Sequence, residues 1–140
     1  MSEDAGQDAA APRKLEEAFI HLGLGATAIP QPAFDGHRWY EAYGKRHGGD
    51  GAEGRLISMH TFTEDWDSWE MHPAGPEIVV CTAGEIVLWQ EAADGSRRQV
   101  TLTPGEYAIN EPGVWHTADI ANSATAIFIT SGEGTEGRPR

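Results

Sequence analysis

Apolar and polar residues alternate along most of this chain, and turn-forming residues break the alternation at short intervals. Between Arg55 and Phe62, Leu56, Ser58, His60 and Phe62 share one face of a predicted strand. Ile57, Met59 and Thr61 share the other, because strand side chains alternate. Further short runs follow at 68–72, 78–81, 85–90, 98–102, 106–109, 114–120 and 124–130; in the third, Val87 and Trp89 share a face. An acidic turn at 63–67, the Pro73, Gly75 and Pro76 loop, Gly84, Asp94-Gly95 and Pro104-Gly105 separate them. Short strands with a turn signal roughly every 8–12 residues predict an all-β sandwich or barrel.

The chain before Arg55 is patterned less clearly. Leu15 to Leu22 fits a short helix, but Ala18 to Leu22 also fits a strand that pairs with Ala26 to Ile29 across Gly23–Gly25, and the hairpin is favoured. On it, His21 reads as one solvated or structural side chain of an edge strand. Phe34, Trp39, Tyr40 and Tyr43 are spaced for one short surface helix between Phe34 and Arg46. They read as an aromatic plug at one end of the domain, or as a lid in which Trp39 or Tyr43 stacks on a ligand. Residues 1–14 have little to bury and are expected to form a disordered tail. Residues 15–131 make one domain, and 132–140, rich in Gly, Glu, Pro and Arg, a loose tail.

Composition narrows the function classes. A single domain of 140 residues is large enough for a real core. A net charge of −12 argues against nucleic acid or an anionic membrane surface as partner. No apolar run has membrane-span length, and the polar N-terminus shows no secretory signal, so a cytoplasmic protein is expected. The one cysteine, Cys81, excludes an intramolecular disulfide framework. Its parity with Glu77 and Val79 points it into the barrel as a buried, unreactive thiol.

The candidate chemistry lies in two stretches. In Glu70-Met71-His72 the acid and the imidazole share a strand face, the Pro/Gly loop reverses the chain, and Glu77 opens the returning strand. His116 alternates with Val114 and Ala118 at the end of Pro104–His116. Two imidazoles and two carboxylates converging on one point are metal-ligand chemistry. Trp69 and Trp115 have the opposite parity and are expected on the outer sheet face or in a dimer contact.

These stretches resemble the two motifs of the cupin family over roughly residues 56–130. In the first, four residues separate His72 from Glu77, and six more separate Glu77 from Gly84; in the second, Gly105, Gly113 and His116 take the places of the family's glycines and histidine. The departures are Glu70 for the first histidine, Glu64 for the opening glycine, Pro112 displaced with Glu111 before it, and Ile120 for the final asparagine. The resemblance implies a double-stranded β-helix, or jelly-roll barrel, that binds a divalent transition metal (Mn, Fe, Zn or Ni) through Glu70, His72, Glu77 and His116. It also implies a small-molecule ligand at the barrel mouth and a homodimer. An enzyme of this kind would be an oxygenase, isomerase or lyase, with His60 or Tyr107 placed for proton transfer. A non-catalytic binding or sensing module, metal-free or with a structural metal, is the alternative.

Overall fold

The computed structural model describes residues 11–140. Their strands are β1 (Ile20–Gly23), β2 (Thr27–Pro30), β3 (Arg55–Phe62), β4 (Ser68–Met71), β5 (Glu77–Gly84), β6 (Ile86–Glu91), β7 (Arg97–Leu102), β8 (Tyr107–Asn110), β9 (Trp115–Asp119), β10 (Ala124–Thr130) and β11 (Glu136–Pro139). The helix α1 spans Arg38–His47. The strands build two antiparallel sheets, ordered β2-β1-β3-β10-β5-β8 and β11-β4-β9-β6-β7. The fold is all-β, a double-stranded jelly roll of the cupin type with one short helix.

The alternation in the sequence becomes the two-sidedness of each sheet. Val79, Cys81, Ile86, Leu88, Leu102, Ala118, Ala126 and Phe128 point between the sheets and form the main core. Tight turns hold the sheets in register. At Gly84 φ is +70°, and a Cβ there would stand 2.0 Å from the Ser123 carbonyl oxygen, so the position requires glycine. Cys81 is fully buried, as expected, and burial pushes its thiol pKa up.

Three expectations are corrected. The hairpin forms, but β2 is the sheet edge and β1 lies inside it, paired with β3. Of the two readings of His21, solvated or structural, the structural one holds: it is 1% exposed, with Nδ1 at 2.6 Å from the Tyr43 hydroxyl and Nε2 at 2.7 Å from Asp50. The helix starts at Arg38, four residues after Phe34, because Gly36 at φ +116° breaks the chain just before it. Phe34 packs on Phe19 from a loop at 5.0 Å. The segment expected to be a loose tail carries β11, which pairs with β4 along Glu136–Pro139 and closes the second sheet. Of the tail expected over 1–14, residues 1–10 lie outside the described residues.

Trp69 and Trp115 take the outer face of the second sheet, and arginines cover them. The Arg138 guanidinium lies 5.3 Å from the Trp69 ring centre and 4.5 Å from that of Trp115, and Arg97 covers Trp69 at 4.8 Å. No helix among the described residues is long and apolar enough to cross a membrane.

Candidate metal centre

Strand pairing brings the four predicted residues together. Glu70 of β4 stands opposite His116 of β9, so both side chains project from the same sheet face. His72 follows β4 at the same parity, and Glu77 is the first residue of β5. The Glu77 carboxylate reaches both imidazoles: Oε2 lies 3.2 Å from His72 Nε2, and Oε1 lies 3.1 Å from His116 Nε2. Glu70 Oε1 is farther out, 3.8 Å from His72 Nε2 and 4.0 Å from His116 Nε2. His72, Glu77 and His116 are buried, whereas the Glu70 side chain is 44% exposed and forms the solvent side of the cluster.

The donor set fits a metal ion. Both Nε2 atoms are buried, and neither has a hydrogen-bond partner, although the Glu77 carboxylate lies close by. A buried imidazole nitrogen without a partner is costly, and a cation among these atoms removes that cost. First-row divalent ions hold N and O ligands at about 2.0–2.2 Å, which sets neighbouring donors about 3.0–3.4 Å apart. The Glu77–imidazole distances lie in that range, and the Glu70 distances lie just outside it. Glu70, His72 and His116 each offer a ligand atom within 4.8 Å of the others.

Each charged group of the cluster acts on its neighbours. Burial pushes the Glu77 carboxyl up, but the adjacent His116 and His72 imidazoles outweigh it and hold Glu77 well below the usual carboxylate range. Burial lowers the His72 pKa, but the adjacent Glu77 carboxylate and then the Glu70 charge reverse the shift, so the net direction is up. The Glu70 pKa is raised, first by burial and then by the Glu77 carboxylate.

A second layer, missed in the sequence, holds these groups in place. Asn110 Nδ2 donates to Glu77 Oε1 at 3.1 Å, and the Thr130 hydroxyl donates to Glu77 Oε2 at 2.6 Å. Asn110 Oδ1 accepts from Gln90 Nε2 at 2.8 Å, and Gln90 Oε1 accepts from Arg98 Nε at 2.7 Å. Asn110 lies inside the second motif, directly across from Glu77, and strand parity alone points it inward. His72 Nδ1 meets the Thr135 hydroxyl at 2.8 Å.

The two proton-transfer candidates separate. His60 sits on the inner face of β3 between Phe19, Phe34 and Phe128, with Nε2 at 3.1 Å from the Tyr40 hydroxyl. Burial pushes the Tyr40 phenol up to about 12, and the Glu70 and Glu77 charges add to the shift, which puts its hydroxyl within their field. Tyr107 is 66% exposed on the opposite face of β8 from Asn110 and is directed away from the cluster. Trp39 and Tyr43 do not form a lid: Trp39 packs edge-on to Phe19, and Tyr43 bonds His21. Of the aromatic residues of α1, Tyr40 is the one whose phenol feels the Glu70 and Glu77 charges.

No protein-family model matches the sequence, and no curated protein matches it. Among solved structures the chain is similar to oxalate oxidase from a structural and spectroscopic study of that enzyme's mechanism, with a TM-score of 0.51 and 14% identity, covering 58% of this chain and 44% of that one. It is similar also to recombinant oxalate oxidase in complex with glycolate, with a TM-score of 0.51 and 13% identity over 60% of this chain and 45% of that one. The chain thus spans less than half the length of either, and at such identity the likeness establishes the cupin fold alone.

Proposed function

We propose that this chain is a small metal-dependent cupin-like enzyme that binds one divalent transition metal in the barrel and acts on a small organic molecule there. The observation that carries the reading is the pair of buried, partnerless Nε2 atoms of His72 and His116 facing one carboxylate. His72, His116 and Glu77 are the ligands, and Glu70 completes the set from the solvent side. A donor set of two imidazoles and two carboxylates favours Mn, Fe or Zn over a soft metal. Such an ion supplies Lewis-acid polarisation of a bound oxygen or activation of water.

The chain's own residues narrow the substrate. Two carboxylates neutralise a divalent ion, so the loaded centre has no surplus positive charge to attract an anion. A neutral molecule suits it better than a dicarboxylate. Tyr40 and His60, hydrogen-bonded to each other at 3.1 Å, are the groups placed to hold or pass a proton at the mouth. Oxygenase, isomerase and lyase chemistry are all compatible with that arrangement. The half-exposed Glu70 favours turnover over a sealed structural ion, because it leaves an open side on the cluster.

Elemental analysis of protein purified without chelator tests the proposal. Wild type should carry up to one ion per chain, His72→Ala none, and Glu70→Gln should bind about 10–100-fold more weakly if Glu70 acts through its neighbours, and more weakly still if it ligates. Metal content unchanged in His72→Ala sinks the site. So does a wild type that stays empty after reconstitution with Mn, Fe, Zn and Ni.

A further inference from the structure

The C-terminal segment reaches the centre through one hydroxyl. Thr135 Oγ1 lies 2.8 Å from His72 Nδ1 and 2.9 Å from the Gly132 carbonyl oxygen. A threonine hydroxyl has one proton to give and lone pairs to receive. The Gly132 carbonyl can only accept, so the Thr135 proton goes there. The Thr135 oxygen is then left to accept from His72, and Nδ1 must carry the hydrogen. The neutral ring has a single N–H, so the lone pair sits on Nε2, the atom that faces Glu77 and has no partner of its own.

The segment is built to hold that hydroxyl still. The Thr135 backbone N–H also donates to the Gly132 carbonyl, at 3.2 Å, which closes a tight turn. Gly134 has φ +75°, and a Cβ on it would come within 3.2 Å of the Pro73 ring, so a glycine lets the turn lie against the residue after His72. On one side Ser131 donates to the Ala52 carbonyl at 2.7 Å. On the other, β11 pairs with β4, Arg138 donates to Glu91 at 2.6 Å, and Arg140 bonds Asp119 and the Trp66 and Ala118 carbonyls. The turn is thus fixed at both ends.

We infer that Thr135 is a positioning residue for the metal centre, fixing His72 as the Nδ1–H tautomer with its Nε2 lone pair presented to the ion. The inference rests on the metal reading above, but its direct consequence is visible without metal. Full-length, metal-free wild type, Thr135→Ser and Thr135→Val are compared by nitrogen-15 NMR of the imidazoles at alkaline pH. Each is then titrated with Mn(II) and Zn(II) by calorimetry.

Wild type and Thr135→Ser should show a single Nδ1–H tautomer at His72. Thr135→Val should show mixed tautomers and an affinity lower by about 10–100-fold, the usual cost of losing the partner of a ligating histidine. Thr135→Ala removes the hydroxyl without adding volume and gives the same reading should valine disturb the turn. An unchanged tautomer and affinity in both variants overturn the inference. A wild type that binds neither ion yet loses its fixed tautomer in Thr135→Ala overturns the metal site and upholds the hold of Thr135 on His72.

Discussion

The two glutamates of the cluster have opposite effects on the metal-free fold. The Glu77 pKa is depressed, so its carboxylate contributes stability above the ordinary value of 4.5, and that stability is lost as pH falls towards its folded value. The Glu70 pKa is raised by burial and by Glu77, so folding disfavours its ionised form. Below 4.5 the Glu70 proton is bound in both states and costs nothing; as pH rises through the raised folded value the unfolded chain ionises more readily, and stability falls. At neutral pH and without metal, Glu70→Gln should therefore raise the melting temperature, by a modest amount because Glu70 is 44% exposed and solvent screens it. The gain should vanish below pH 4.5. Glu77→Gln should instead destabilise, on the order of 1–3 kcal/mol, by removing the charged acceptor of Asn110 and Thr130 and the countercharge beside both imidazoles. Thermal melts across pH check both, and matching signs at neutral pH would refute the account. The residue that costs the empty protein stability is thus one that we propose as a metal ligand.

Helix α1 shows how an element reaches the centre from outside the barrel. Trp39 anchors it: the ring is 4% exposed, edge-on to Phe19 at 5.0 Å, stacked on Tyr43 at 5.3 Å, and its Nε1 donates to the Pro32 carbonyl at 2.9 Å. That anchor sets the next residue, Tyr40, against His60. Trp39→Ala should cost about 3–5 kcal/mol in urea denaturation and should also lower turnover by freeing Tyr40; a loss under 1 kcal/mol would show that the helix is held elsewhere. The aromatic spacing located this helix in the sequence but not its start, since Phe34 packs on the same cluster from a loop. The hairpin of β1 and β2 was legible, but the edge strand was not, because β1 joins β3 only through tertiary pairing. The four clustered residues were legible because period-2 parity and one tight loop set their faces. Thr135 was not legible: its segment has no apolar alternation, and β11 is held by backbone pairing and arginines, which leave no periodic trace.

At the scale of the whole molecule, the outer face of the six-stranded sheet is apolar in register across its strands. Ile20 pairs with Ile57, Ile57 with Ile129, Ile129 with Ile78, and Ile78 with Ile109, an isoleucine row that crosses five strands. Beside it, Met59, Ile127, Val80 and Tyr107 form a second row. None of these side chains is fully buried, and Tyr107 and Ile109 are exposed. Neither row contains a charged residue, although the chain carries −12 overall. An apolar face of this extent marks an interaction surface, and a second copy of the chain is the partner we propose, with the two sheets face to face. In that proposed arrangement Tyr107 would serve assembly, in keeping with its direction away from the cluster. Because each copy brings the same negative charge, salt should tighten the association by screening that repulsion. Light scattering at micromolar concentration should give about twice the 15.1 kDa chain mass. Ile129→Lys, which puts a charge in the middle of the isoleucine row, should give a folded monomer that still binds metal. A wild type that remains monomeric at high salt, or an Ile129→Lys protein that still dimerises, would show that this face is not the interface.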